Sequence, residues 1–275
     1  MNNKECIDRF ITEALAGKAN NTVNSYRYSL ERFGKYLDES DTDLIGYGRI
    51  NVQNYIDKQF AKRSASGVNR EIAAIKAYSR YVGKPEVSEG LRIFKPLKAK
   101  QQARTWLSPE NANEILHLTA LKPNKRDHAI VSLFLYSGLR LSEVAALDRN
   151  DVNLCESRGT VNVREYKMGC ERIVPLSSGT CKAIKDYLDQ RNDNLEALFL
   201  SSFYKPLSAR SIQSMLKQYG INSTQLRHTF VKTLVNKGTP IETVKVLNGR
   251  FSIGRIASYF STEGLANVVD RFTKQ

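Results

Sequence analysis

A few side chains in this 275-residue chain stand where chemistry is possible. Arg140 and Arg227 each follow a leucine on an otherwise apolar segment, Gly138-Leu-Arg-Leu-Ser-Glu143 and Leu226-Arg-His-Thr-Phe230. An unpaired guanidinium in such surroundings is costly, so each arginine needs a partner. The plain partner for Arg140 is Glu143, three residues on, in a structural salt bridge. The chemical partner is a phosphate: a planar, permanently charged fork grips two of its oxygens and stabilises charge developing on phosphorus. Lys167 lies at Lys167-Met-Gly169, between two short apolar runs. An ammonium at such a turn is either a solvated charge or a proton donor to a leaving group. Tyr259, the only tyrosine after Tyr219, could be a core aromatic by spacing alone, and tyrosine is also a residue type that can serve as a nucleophile. A phenol of pKa about 10 attacks only a strongly activated electrophile.

Composition narrows the partner. Lys and Arg number 42 against 28 Asp and Glu, a formal net charge of +14. Such a balance points to a polyanion. Residues 1–103 hold 18 basic and 12 acidic residues and the remainder 24 and 16, so both halves are basic. Cys6, Cys155, Cys170 and Cys181 lie far apart, which argues against a disulfide framework or a zinc site and for a reducing, cytoplasmic setting. The only histidines are His117, His128 and His228, too few for a histidine-built metal centre, so neither metal nor cofactor is expected. No apolar run reaches 18 residues, and the N-terminal stretch lacks the apolar segment of a secretory signal.

The elements that must position these groups are mainly helical. In residues 22–37, Val23, Tyr26, Leu30, Phe33 and Leu37 recur at steps of three and four, one face of a helix. Similar stripes predict helices over Asn51–Lys62 and Ser66–Val82, with a shorter one over Ile7–Leu15, giving a four-helix domain over residues 1–83. Residues 84–104, with Pro85, Pro96 and the basic run Lys95–Lys100, predict a connector. In residues 105–275, Ser108-Pro109-Glu110 is a helix start. Asp127–Ser137 is apolar all round and predicts a buried helix ended by Gly138. Gly159–Val174 predicts two strands in a hairpin. Helices follow over Thr180–Leu188, Ala209–Tyr219 behind Ser208, Gln225–Asn236, Ile241–Leu247 and Ile253–Phe260, with one more over Leu265–Phe272.

Taken in order, Gly138–Glu143, Tyr166-Lys167 with Arg172-Ile-Val-Pro-Leu176, Leu226–Phe230, and Arg250 with Ser258-Tyr259 resemble the tyrosine recombinases of the phage-integrase and Xer type. The resemblance spans nearly the whole chain, including Ser66-Gly-Val-Asn-Arg70 at the start of the fourth helix. It implies a mainly α fold with a small antiparallel sheet: a helical core-binding domain and a catalytic domain forming a C-shaped clamp on DNA. It implies a site-specific recombinase that cuts and rejoins DNA through a 3′-phosphotyrosyl link and a Holliday junction. Arg140 and Arg227 match the two catalytic arginines, Lys167 the general acid and Tyr259 the nucleophile. The implied partners are double-stranded DNA with short inverted repeats and, on two duplexes, a homotetramer whose C-terminal segments (263–275) dock between subunits. A mobile element, a plasmid or chromosome-dimer resolution would be its setting. A telomere resolvase, a type IB topoisomerase and a catalytically decayed DNA-binding protein are the alternatives.

Two positions depart from the family pattern. Thr224 stands where a histidine is usual, three residues before Arg227, and Arg250 where histidine or tryptophan is usual. Threonine can hydrogen-bond a phosphate oxygen but cannot shuttle a proton at neutral pH; Arg250 adds a cation. His228 faces about 100° away from Arg227 on a helix and suits a structural hydrogen bond. On the fourth helix, Asn69, Arg70, Lys76 and Arg80 are positional candidates for DNA contact.

Overall fold

The structure, a computed structural model, describes residues 2–91, 105–154, 159–164 and 171–249. The chain divides into two compact units, Met1–Gln101 and Gln102–Gln275. Among the described residues no helix is long and apolar enough to cross a membrane.

The first unit is a bundle of α1 (Asn3–Ala14), α2 (Asn20–Asp38), α3 (Arg49–Phe60) and α4 (Ala65–Tyr81). The predicted stripe of α2 is its core face: Leu30, Phe33 and Leu37 have no exposed surface and pack with Phe10, Tyr55, Ile56 and Ile75. Helix α1 begins earlier than its apolar spacing suggests. Asn2 accepts from the Glu5 N–H (2.9 Å) and the Glu5 carboxylate accepts from the Asn2 N–H (3.0 Å), a capping box that recruits an extra polar turn. Residues 85–91, read above as the start of the connector, stay with this unit. Pro85–Ser88 forms a 3-10 turn, and Val87 and Leu91 are buried in the bundle core. Two apolar residues in an irregular stretch carry no period, which is why they do not stand out in the sequence.

The second unit is helical around a small sheet. Helices α5 (Pro109–Ala120), α6 (Arg126–Ser137) and α7 (Leu141–Ala145) precede strands β1 (Val152–Asn153), β2 (Gly159–Val163) and β3 (Arg172–Leu176). Helices α8 (Ser178–Leu188), α9 (Ala209–Gln218), α10 (Ser223–Asn236) and α11 (Ile241–Asn248) follow. The strands are antiparallel in the order β1-β2-β3, with Val161 opposite Val174 and Val163 opposite Arg172. The hairpin is thus joined by a third, two-residue strand too short to show alternation. Pro175 is tolerated because β3 is an edge strand among the described residues. Helix α6 is the buried centre, with Ala129, Ile130, Val131, Leu133 and Phe134 wholly enclosed. Ser108 and Ser208 cap α5 and α9 by accepting from the N–H groups of Asn111 (3.2 Å) and Ser211 (3.1 Å). The helices expected over Ile253–Phe260 and Leu265–Phe272 lie outside the described residues.

Candidate active site

Three turns of backbone bring the site together: the end of α6, the start of α10 and the end of α11. Gly138 ends α6 in a left-handed conformation (φ +60°). A Cβ there would overlap the ring of Phe230 on α10, so only glycine lets the two helices approach. The approach hands the Gly138 carbonyl to the Arg227 guanidinium. Arg227 is buried, and its other terminal nitrogen donates to the Asn248 carbonyl at the end of α11. The side-chain hydroxyl of Thr229, one residue beyond His228, accepts from the Leu107 N–H (2.9 Å) and ties the start of the unit to α10.

Arg140 sits at the N-cap of α7 with its side chain half-exposed. Its Nη1 donates to Glu143 Oε1 (2.7 Å) and its Nη2 to the Gly249 carbonyl. The plain reading of Arg140 is therefore part of the structure, since the Glu143 ion pair exists. It does not consume the arginine, which still reaches α11 with a second nitrogen.

Arg172 completes the cluster. It shares the inward-facing parity of Val174 and Leu176 on β3, while Ile173 points out. Its Nε donates to the Leu247 carbonyl (3.1 Å), and its Nη1 and Nη2 donate to the two Glu143 oxygens (3.0 and 2.9 Å). Consecutive carbonyls of Leu247, Asn248 and Gly249 thus each accept from a different arginine: Arg172, Arg227 and Arg140. A helix C-terminus leaves such carbonyls unpaired and carries partial negative charge, so it suits three cations. Gly249 has φ +58°, and a Cβ there would stand 2.9 Å from Arg172 Nη1 and 3.1 Å from Arg140 Nη1.

Glu143 pairs with both Arg140 and Arg172. Burial alone would raise its pKa. The hydrogen bonds from Arg172 and from the Arg140 N–H, with the charge of Arg172, outweigh burial and hold it at about 2. Glu143 offsets one of the two guanidiniums that meet it, Arg227 adds a further cation at the same helix end, and the exposed part of Arg140 is open to a further anion. Such an arrangement can bind a phosphodiester and stabilise added charge on its non-bridging oxygens.

Thr224 lies in the first turn of α10, exposed, one turn before Arg227. The structure therefore gathers Arg140 and Arg227 at one helix end, with Thr224 on the same face of α10. Lys167, Arg250 and Tyr259 lie outside the described residues. In the first unit Arg70 and Arg80 on α4 are exposed, Lys76 is half-buried, and Asn69 is half-buried with its side-chain oxygen enclosed.

Comparison with known proteins settles the family. The Phage integrase family profile matches residues 105–263, and its N-terminal SAM-like domain matches residues 7–84. The chain belongs to the phage integrase family. It is a tyrosine recombinase, an enzyme of site-specific DNA recombination. It is 31% identical over 267 residues to the tyrosine recombinase XerA of Pyrococcus furiosus, covering 93% of this chain and 88% of that one. It is 32% identical over 269 residues to the tyrosine recombinase XerC of Shewanella sp. strain ANA-3, covering 90% and 88%. It is also similar, at 30% over 251 residues, to a TnP I resolvase of Bacillus thuringiensis, covering 86% and 87%. Among solved structures, the Tn1549 transposon integrase in complex with a circular intermediate DNA superposes with a TM-score of 0.73, at 15% identity over 98% of this chain and 99% of that one. XerH bound to its difH substrate gives 0.69, at 17% identity over 90% and 78%. At these identities the structural likeness speaks for the fold.

Proposed function

We propose that this tyrosine recombinase cleaves duplex DNA at short inverted repeats, with Tyr259 as the nucleophile and Arg140, Arg227 and Arg250 on the scissile phosphate. The phenol oxygen of Tyr259 forms a bond to phosphorus as the bond to the 5′-oxygen breaks. Lys167 donates the proton taken by that leaving oxygen, and the phenol proton passes to solvent, because Thr224 can hydrogen-bond the phosphate but not accept a proton. The 3′-phosphotyrosyl link conserves the energy of the phosphodiester, so the reverse attack by a 5′-hydroxyl of the partner duplex needs no external source. Four subunits on two duplexes would exchange strands in pairs through a Holliday junction, with the helical first unit as core-binding domain and segment 263–275 docking on a neighbour. The setting is cytoplasmic DNA.

The observation that carries this reading is the junction of Arg140 and Arg227 on the adjacent carbonyls of Gly249 and Asn248, immediately before Arg250. Two family-matched cations therefore meet at one helix end, which supports the reading. The test is a suicide duplex nicked next to the cleavage site, its sequence taken from the repeats flanking the gene. Wild-type protein should give a covalent protein–DNA band that disappears in Tyr259→Phe. A band that persists in Tyr259→Phe overturns the assignment of the nucleophile.

A further inference from the structure

Arg172 has no part in the proposed chemistry, although it stands among the arginines at the end of α11. It is the first residue of β3, opposite Val163 on β2, and its side chain is only 10% exposed. All three guanidinium nitrogens donate: Nε to the Leu247 carbonyl (3.1 Å), Nη1 to Glu143 Oε1 (3.0 Å) and Nη2 to Glu143 Oε2 (2.9 Å). The last two form a parallel fork, which fixes both the place and the rotation of the carboxylate. One side chain thus joins the strand, α7 and α11.

Glu143 passes that constraint on to Arg140. Its Oε2 also accepts from the Arg140 backbone N–H (2.6 Å), and its Oε1 from Arg140 Nη1 (2.7 Å). Backbone and side chain of Arg140 are therefore both tied to a carboxylate that Arg172 holds still. Charge points the same way. Arg140 and Arg172 against Glu143 leave a formal surplus of one positive charge, whereas Arg140 and Glu143 alone would be neutral. Arg172 and Glu143 are nearly enclosed, while Arg140 is 45% exposed. An ion pair kept only for stability gains little from burial, because desolvation offsets most of its attraction. Here the buried pair supports a third guanidinium that is open to solvent.

We propose that Arg172 is a positioning residue for strand cleavage. By occupying both oxygens of Glu143, it lets that carboxylate orient Arg140 without neutralising it, and so keeps Arg140 available to the scissile phosphate. The proposal rests on the reading of Arg140 as a phosphate ligand. Lysine cannot take the place of Arg172, because an ammonium is a point charge and cannot span two oxygens in one plane.

The experiment measures single-turnover adduct formation at saturating DNA on the nicked suicide duplex, made with either the natural scissile phosphate or a methylphosphonate there. A methylphosphonate carries no negative charge, so its reaction leans less on a well-placed cation. Arg172→Gln should slow cleavage of the phosphate by about 10²-fold. On the methylphosphonate the gap to wild type should narrow to within about tenfold. Arg140→Gln, the reference, should narrow in the same way. Arg172→Lys keeps a charge beside Glu143 and should show the same pattern at smaller size; it carries the test alone if circular dichroism shows that Arg172→Gln has lost its fold. A wild-type rate for Arg172→Lys on the phosphate overturns the proposal, since the fork would then be dispensable. An equal loss on both substrates also overturns it, because damage to the fold would explain that. If Arg140→Gln is slow and the Arg172 variants are not, the proposal alone falls. If Arg140→Gln cleaves the phosphate at the wild-type rate, the reading of Arg140 falls and the proposal with it.

Discussion

The two units hold arginines in different ways. Around α11, Arg227 is buried and donates to backbone carbonyls at two helix ends, and the mostly buried Arg172 donates to a backbone carbonyl and to Glu143, which it shares with Arg140. Around Glu71, Arg32 and Arg63 are partly exposed, and their acceptor is a side chain alone. Backbone acceptors cannot rotate away, so the first arrangement holds its guanidiniums more firmly. A side-chain anchor leaves the outer half of each guanidinium free to adjust. The first suits a reaction in which charge must be met where it develops.

The contrast can be broken at several points. The largest effect should come from Arg227→Ala, which removes the buried guanidinium proposed for the scissile phosphate. Adduct formation on a nicked duplex should fall by about 10³-fold, while binding keeps its steep salt dependence because the spread of surface charge is intact. Equal cleavage by mutant and wild type at low salt would show that the cluster is structural. Next comes Glu143, whose folded pKa of about 2 lies below its ordinary 4.5. The stability it contributes is complete above pH 4.5 and drains away as pH falls toward 2, roughly 3 kcal/mol in all. Acid unfolding followed by circular dichroism should show that pH dependence in the wild type and lack it in Glu143→Gln. A smaller effect is expected of Gly249→Ala. Its Cβ would push Arg172 and Arg140 aside, and a displacement of that kind should lower the cleavage rate by about 10²-fold. Its melting temperature should change far less than its rate; a variant that cleaves normally would mean the carbonyl contacts are incidental.

Much of this arrangement was legible in the amino-acid order, and the remainder has physical reasons for its silence. The apolar stripe of α2 and the all-round apolar α6 announce burial because a helix repeats every 3.6 residues. Arg140 and Arg227 draw attention because a charge within an apolar run needs a partner. Arg172 is harder to see. Its strand parity puts it inward with Val174 and Leu176, but five residues containing a proline are too few to establish that parity before the pairing is known. The Leu247, Asn248 and Gly249 carbonyls have no side-chain signature at all, so no reading of residue types could nominate them. Residues 85–91 look like connector because Val87 and Leu91 lack a period, although both enter the core.

The central claim is that the arginines gathered at the end of α11 serve a nucleophile at Tyr259. Trapping on a nicked suicide duplex tests it most directly, with wild type, Tyr259→Phe and Arg227→Ala compared at low salt. The account predicts a covalent band for wild type, none for Tyr259→Phe and about a thousandth of the wild-type rate for Arg227→Ala. A band of undiminished strength from Tyr259→Phe would contradict it.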